Sequence, residues 1–269
     1  MEDFICPVCG QSLADCGKFY RCESNHSFDK AKEGYVNLVL QGGSHGDDKA
    51  MVKARRDFLN KGYYEHFANA LSLAMKRAAD QKVKLLDSGC GEGYYTNKFA
   101  KILPDGSEIY GIDISKNALK YAGRKLDKAN CKLAVASAYE LPFAEKSFDI
   151  IVDIFSPLAL DEFKRVLTDN GYLILGIADK NHLYELKKAV YENPYQNELS
   201  DFEIPGFELA ENISASQKIT LDSNEDIKNL FEMTPYAHKT SQKDIQKLDR
   251  LKVLTVSADF LVLVYKKKQ

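Results

Sequence analysis

The sequence predicts an α/β protein with a mostly parallel, Rossmann-like sheet, preceded by a small zinc-ribbon domain. Three observations lead to this prediction: cysteines crowd into residues 6–26, a glycine-rich loop follows a short apolar strand, and later apolar runs alternate with helical or turn-rich segments. The net charge of −2 argues against wholesale binding to a polyanion but allows a local basic face. With no apolar run of about 18 residues and no targeting segment after Met1, we expect a cytoplasmic protein without a membrane span.

The N-terminal cysteine cluster has the spacing of a zinc site. Cys6 and Cys9 form one Cys-x-x-Cys turn, and Cys22 and His26 form a second turn further along. Two such turns can converge on one tetrahedral zinc, which would be structural because protein fills all four positions. A disulfide framework would gather all six cysteines, and a thioredoxin-like redox pair would begin a helix. Cys16, between the turns, is predicted to be a spare thiol.

The composition changes at residues 41–49, where the sequence reads QGGSHGDDK. Glycine, serine and charge predict a flexible linker between the zinc segment and the rest. The segment after it has apolar residues every three or four positions and predicts helix, with a break at Gly62. Lys53, Arg55 and Arg56 make this segment locally basic.

A glycine-rich loop at residues 87–93, with the sequence DSGCGEG, follows the strand around Leu85. Glycines at a strand-to-helix turn permit positive φ and close approach of a ligand to the backbone. The spacing differs from the Gly-x-Gly-x-x-Gly of dinucleotide binders, and no P-loop Lys-Ser/Thr pair follows. The next apolar strand ends at Asp113, whose carboxylate is placed to accept ribose hydroxyls. From the fold, Asp87 and Gly89 join Asp113 as predicted cofactor-binding residues.

Three more apolar runs complete the predicted sheet: CKLAVASA, FDIIVDIF and YLILGIA. Together with the phrases LPFAEKSFDIIV and LDEFKRVLTDNGYLIL, their order resembles that of class I S-adenosylmethionine-dependent methyltransferases. The zinc-ribbon spacing, AKEGYVNL, ARRDFLNKGYY, LDSGCGEGYYT and LFEMTPYAHK resemble one family over nearly the whole chain. It is the large-subunit ribosomal RNA guanine-N1 methyltransferase A (RlmA) family.

This resemblance implies a fold, a function and a set of site residues. It implies a zinc-binding RNA-recognition domain at 1–36, a linker and basic helical segment at 37–65, and a methyltransferase domain at 66–269. It implies methylation of N1 of a guanine in a hairpin of 23S ribosomal RNA, by a homodimer, with one subset of the family protecting against macrolides. The implied zinc ligands are Cys6, Cys9, Cys22 and His26, and the implied S-adenosylmethionine contacts are Tyr64, Gly91, Glu92 and His182.

The sequence does not identify the catalytic base. Guanine N1 carries a proton at neutral pH, so some group must accept it. The fourth strand ends in Asp153-Ile-Phe-Ser-Pro rather than Asn-Pro-Pro-Tyr, which argues against methylation of an adenine amine. Asp153 is a candidate by position only, and a structural carboxylate at a strand end explains it equally well. Two rival functions remain open: a small-molecule methyltransferase, and a non-catalytic zinc-ribbon RNA-binding protein that senses S-adenosylmethionine.

Three expectations concern how the parts work together. RNA docks on the ribbon and the basic helix, and neither the Arg55 nor the Arg56 guanidinium faces the adenosine. Deletion of residues 1–36 abolishes RNA binding but leaves cofactor binding largely intact. The terminal Lys266–Lys268 is a frayed, solvated tail.

Overall fold

The computed structural model describes residues 4–40, 46–127, 130–199 and 201–268. The N-terminal ribbon has four short strands: β1 (Phe4–Ile5), β2 (Ser12–Asp15), β3 (Phe19–Arg21) and β4 (Ser27–Asp29). They pair as an antiparallel sheet in the order β1-β2-β3-β4.

A larger sheet forms the body of the chain. Its strands are β5 (Tyr35–Asn37), β6 (Lys84–Ser88), β7 (Glu108–Asp113), β8 (Cys131–Val135), β9 (Phe148–Ile154), β10 (Leu167–Ala178), β11 (Phe207–Leu221) and β12 (Leu254–Lys267). Their order is β11-β12-β10-β9-β6-β7-β8-β5, and every pairing is parallel except those of β12. The strand order reverses at β6, which lies between β7 and β9. Open α/β sheets bind ligands at the carboxyl ends of the strands at such a switch point.

Helices cover the sheet. They are α1 (Lys49–Asn60), α2 (Glu65–Ala78), α3 (Tyr94–Ala100), α4 (Lys116–Lys125), α5 (Leu160–Val166), α6 (Tyr184–Val190), α7 (Asn224–Glu232) and α8 (Gln242–Ile245), with 3-10 turns at Ala237–Lys239 and Gln246–Arg250. Gly62, with φ of 81°, separates α1 from α2 and confirms the predicted break. The Asp48 side chain accepts a hydrogen bond from Met51 N and so caps α1.

The two faces of the sheet bury two separate apolar cores, because successive strand residues point to opposite faces. Leu85 belongs to the core under α1, α2 and α7, whereas Leu86 belongs to the core shared with α5 and the zinc ribbon. The predicted class of fold is confirmed: a mostly parallel α/β sheet preceded by a zinc ribbon.

The ribbon packs directly on the large sheet. The Phe4 ring lies 5.9 Å from the Tyr110 ring and 5.4 Å from the Phe143 ring, and Ile5 N donates a hydrogen bond to Pro142 O. The predicted boundary at residue 36 falls inside β5, which pairs with β8. Deleting residues 1–36 would uncover part of the sheet's core. The expectation that cofactor binding survives this deletion stays a prediction.

The structure describes only part of the predicted linker. Residues 41–45, including Gly42 and Gly43, lie outside the described residues. Beyond them, Ser115 Oγ donates a hydrogen bond to Asp47 O at 2.8 Å, and a Cβ on Gly46 would lie 2.7 Å from the Ile114 side chain. The end of the linker is therefore held against the start of α4.

The C-terminal lysines are not a frayed tail, so that expectation is wrong. β12 continues through Lys266 to Lys267, and Lys267 Nζ donates hydrogen bonds to Lys164 O and Leu167 O. Within the described ranges, no helix combines the length and apolar character needed to cross a membrane.

Candidate functional site

The four predicted zinc ligands converge on one point. The ligand atoms of Cys6, Cys9, Cys22 and His26 all lie within 4.8 Å of one another. Cys9 Sγ is 3.7 Å from Cys22 Sγ, and His26 Nδ1 is 3.4 Å from Cys22 Sγ and 3.6 Å from Cys6 Sγ. Tetrahedral zinc with sulfur at about 2.3 Å and nitrogen at about 2.0 Å separates its ligands by about 3.5–3.8 Å. The geometry therefore fits a tetrahedral zinc ion.

Two left-handed residues close the metal-binding turns. Gly10, with φ of 72°, donates its backbone N–H to Cys6 O, and Asn25, with φ of 65°, donates its own to Cys22 O. Glycine and asparagine tolerate this conformation better than other residues. Cys16 is exposed and does not belong to the cluster.

A second site lies at the switch point of the large sheet. A Cβ on Gly89 would lie 2.5 Å from Ser156 Oγ, so the first glycine of the loop has no room for a side chain. Asp87, at the end of β6, accepts a hydrogen bond from Thr96 Oγ1 at 2.5 Å. Burial raises the pKa of Asp87 to about 7, against the lowering effect of this hydrogen bond. The glycine-rich loop at residues 87–93, the end of β6 and the start of α3 thus pack together, and we call this unit the cradle.

Asp113 is anchored beside the loop at the tip of β7. Its Oδ2 accepts a hydrogen bond from Gly91 N at 2.9 Å, and its Oδ1 accepts one from Ser115 N at 2.7 Å. A carboxylate oxygen can accept more than one hydrogen bond. The fixed carboxylate is therefore free to take ribose hydroxyls as well.

Arg55 reaches from α1 into the same cradle. Its Nη1 lies 3.8 Å from where a Cβ would stand on Gly91, and it forms an ion pair with Asp47 at 2.5 Å. Burial raises the pKa of both Glu92 and Asp113, and the Arg55 charge opposes that rise. Arg55 thus lies beside the glycine-rich loop, and the expectation that its guanidinium does not face the adenosine stays a prediction.

Two cations on the basic face of α1 share one carboxylate. Lys53 Nζ and Arg56 Nη2 both contact Asp57, at 2.7 and 2.6 Å, and the Arg56 guanidinium lies 4.7 Å from the centre of the Tyr121 ring. An RNA phosphate would have to compete with Asp57 for both cations. Docking of RNA on this helix stays a prediction.

Tyr64 and His182 lie together in an aromatic cluster. Their rings are 6.0 Å apart, and Phe260 contacts both, at 4.8 Å from Tyr64 and 4.4 Å from His182. Tyr64 and His182 are buried, and the Tyr64 hydroxyl and His182 Nδ1 have no hydrogen-bond partner among the described residues. Burial lowers the pKa of His182 to about 3, so the imidazole is neutral.

Tyr95 links this cluster to the glycine-rich loop. It lies in the first turn of α3, its ring is 5.6 Å from that of Phe67, and its hydroxyl is buried. Burial raises its pKa, and Tyr64 and Glu92 add to the rise. Phe67 in turn stacks on Phe260 at 4.3 Å, so Tyr95 joins the start of α3 to the aromatic cluster.

Unsatisfied buried polar atoms surround this site. Within the part of the chain that the structure describes, they include Ser88 Oγ, Glu92 Oε2, Tyr64 Oη, Tyr95 Oη and His182 Nδ1. Buried polar atoms in native proteins nearly always have partners, so these atoms fit a polar ligand. The hydroxyl, ammonium and carboxylate groups of S-adenosylmethionine match such a set.

Sequence reasoning missed several residues of the site. Arg55 was assigned to RNA because only its charge and helical position could be read, whereas its direction depends on how α1 packs. Tyr95, Thr96 and Phe260 carried no signal beyond apolar or helical pattern. Phe260 lies on β12, which reaches the site through pairing with distant strands. No local sequence motif marks that pairing.

Comparisons with known proteins match both parts of the chain. A family model described as "RlmA, N-terminal" matches residues 4–40, and one described as "Methyltransferase domain" matches residues 79–249. A protein of Micromonospora griseorubida is 35% identical over 67% of each chain, and one of Bacillus subtilis is 28% identical over 97% of this chain and 96% of its own. The first carries the name "Putative 23S rRNA (guanine-N(1)-)-methyltransferase", and the second carries the same name followed by YxjB.

Solved structures agree on the fold. The YcgJ protein of Bacillus subtilis aligns over 75% of this chain and 99% of its own, with a TM-score of 0.52 and 18% identity. This likeness concerns the arrangement of the large sheet and its helices.

Proposed function

Since this chain belongs to the large-subunit ribosomal RNA guanine-N1 methyltransferase (RlmA) family, we propose that it transfers a methyl group from S-adenosylmethionine to N1 of one guanine in 23S ribosomal RNA. The proposal rests on one observation: the zinc ribbon and the sheet that carries the cofactor cradle form one packed body. A zinc ribbon matched to this family shares a hydrophobic core with a methyltransferase sheet. A small-molecule enzyme has no need of the ribbon.

The residues of the cradle have distinct roles in this proposal. Asp113 accepts ribose hydroxyls, while Gly89 and Gly91 let the ligand approach the backbone. Tyr64 and His182 offer unpaired polar atoms to its remaining groups. The donor supplies a sulfonium-activated methyl group, so the protein contributes mainly orientation and the exclusion of water.

The zinc ribbon holds RNA rather than reacting with it. Its ligand set is Cys6, Cys9, Cys22 and His26, which leaves no open position for water on a tetrahedral ion. A guanine in a hairpin loop is accessible because its N1 edge is free of Watson–Crick pairing. The family resemblance also supports a homodimer and a cytoplasmic location.

Primer extension on ribosomal RNA tests the function. A methyl group on N1 blocks base pairing, so reverse transcriptase stops at the modified guanine in normal cells and reads through in a deletion strain. Purified protein and labelled donor should restore the stop on RNA from that strain. Binding of donor and RNA without transfer of label would instead favour the RNA-binding protein, and transfer only to metabolites would favour the small-molecule enzyme.

A further inference from the structure

A buried carboxylate ends β9 without a full set of partners. Asp153 is 3% exposed, and its Oδ1 accepts one hydrogen bond, from Ser156 N at 3.2 Å. Its Oδ2 has no hydrogen-bond partner among the described residues. A buried carboxylate oxygen without a partner is costly for stability, so such an arrangement in a native protein requires an explanation.

This carboxylate stands next to the donor cradle. Asp153 is in register with Ser88, the last residue of β6 and the one before the glycine-rich loop. Three residues later, Ser156 packs so closely on Gly89 that a Cβ there would not fit. The segment 153–156 therefore wraps around the loop, at the switch point of the sheet.

An exposed aromatic ring lies two residues beyond Asp153. Phe155 is 52% exposed and has a φ of 56°, in the left-handed region that a bulky residue rarely adopts. Its ring is 5.5 Å from Phe67 and 5.7 Å from Phe260, which also contacts His182. Phe155 thus exposes one edge of a mostly buried aromatic cluster to solvent.

We propose that segment 153–156 is the guanine site, in which Phe155 stacks on the extruded base and Asp153 accepts the N1 proton. This inference rests on the proposed function. The N1–H bond breaks and its proton goes to Asp153. The electron pair left on N1 forms the new bond to the methyl carbon, whose bond to sulfur breaks and leaves its electron pair on sulfur.

Neighbouring groups are less suited to take the proton. Asp87 is engaged by Thr96, and the pKa of His182 is lowered to about 3, which makes it a weak base. Burial raises the pKa of Asp153 to about 7, and the Asp87 charge adds to the rise. A general base works best with a pKa near the working pH.

Single-turnover methyl transfer to RNA from a deletion strain tests Asp153. We expect Asp153→Asn to slow transfer about 100-fold or more at pH 7. The loss should shrink at alkaline pH, where solvent removes the N1 proton, and affinity for the donor by titration calorimetry should be unchanged. Asp149→Asn is the matched control, because Asp149 lies at the other end of β9 and accepts a hydrogen bond from Lys84 N.

The outcomes separate the inference from the function on which it rests. Failure of the wild-type protein to methylate this RNA would overturn the proposed function itself. If the wild-type protein is active, a rate for Asp153→Asn within a few-fold of wild type, or a loss explained by weaker donor binding, would overturn the role of Asp153. The wild-type rate should also fall as pH drops below about 7, and a flat profile between pH 5 and 8 would contradict the proposal even if the variant failed to fold.

Phe155 is tested by replacing the ring while keeping its bulk. Stacking on an aromatic side chain strengthens nucleic-acid binding about ten-fold or more per base. Phe155→Leu should therefore raise KM for RNA about ten-fold, Phe155→Tyr should behave like wild type, and donor affinity should stay constant in both. Equal KM values for the leucine and tyrosine variants would show that the ring does not stack on the base.

Discussion

Replacing Arg55 with alanine tests the electrostatics of the donor cradle. The change removes a guanidinium that is ion-paired with Asp47 and lies above Gly91, and it leaves the nearby carboxylates of Glu92 and Asp113 without their closest cation. Arg56→Ala is a matched control on the next residue, because Arg56 contacts Asp57 and Tyr121 instead.

The size of the effect follows from the distance between the charges. Arg55 Nη1 lies 3.8 Å from the Cβ position of Gly91, and Gly91 N lies 2.9 Å from Asp113 Oδ2, so the two charges are at most about 9 Å apart. At an effective dielectric of about 20, charges at that distance attract by roughly 2 kcal/mol. Losing this attraction raises the pKa of Asp113 further. The carboxylate form of Asp113, which accepts the ribose hydroxyls, is then less favoured, and we expect affinity to fall about 30-fold, the equivalent of roughly 2 kcal/mol.

Calorimetric titration with S-adenosylhomocysteine measures this effect without the positive sulfonium, which Arg55 would itself repel. Arg55→Ala should bind about 30-fold more weakly than wild type, and Arg56→Ala within about three-fold of it. Unchanged or tighter binding by Arg55→Ala would refute the reasoning.

Three further predictions concern stability. Chelation of zinc should lower the melting temperature of the whole chain in one transition, because ribbon and sheet share a core; two separate transitions in calorimetry would contradict this. Phe4→Ala should cost about 3–5 kcal/mol in urea unfolding and weaken the ribbon and the sheet together, and an unchanged midpoint would argue against the shared core. Asp87 binds a proton more tightly in the folded state, so its contribution to stability is full below pH 4 and is lost as pH rises through about 7, by at most about 4 kcal/mol. Asp87→Asn should therefore flatten the fall in unfolding free energy between pH 4 and 7, and an unchanged slope would show that Asp87 titrates normally.

The sequence predicted those features that leave a local mark. Cysteine spacing indicated the metal cluster, and the glycine-rich loop and the strand ending at Asp113 indicated the switch point. The direction of a helical side chain leaves no such mark, and for that reason the position of Arg55 beside the glycine-rich loop was not predicted. Pairing and packing between distant segments also leave no local mark. The end of β12 was therefore predicted to be a tail from Lys266 onward, and the packing of Phe4 on Tyr110 was not predicted.

The pairing of β5 with β8 affects how the chain can fold during synthesis. Residues 4–29 can acquire metal as soon as they leave the ribosome, since their strands pair only with one another. Tyr35, by contrast, has to wait for Leu133 before its backbone finds a partner. During that interval the nascent polypeptide carries an open strand and an uncovered Phe4, which are features that attract chaperones and promote aggregation. Slow translation between these two points would lengthen the exposure.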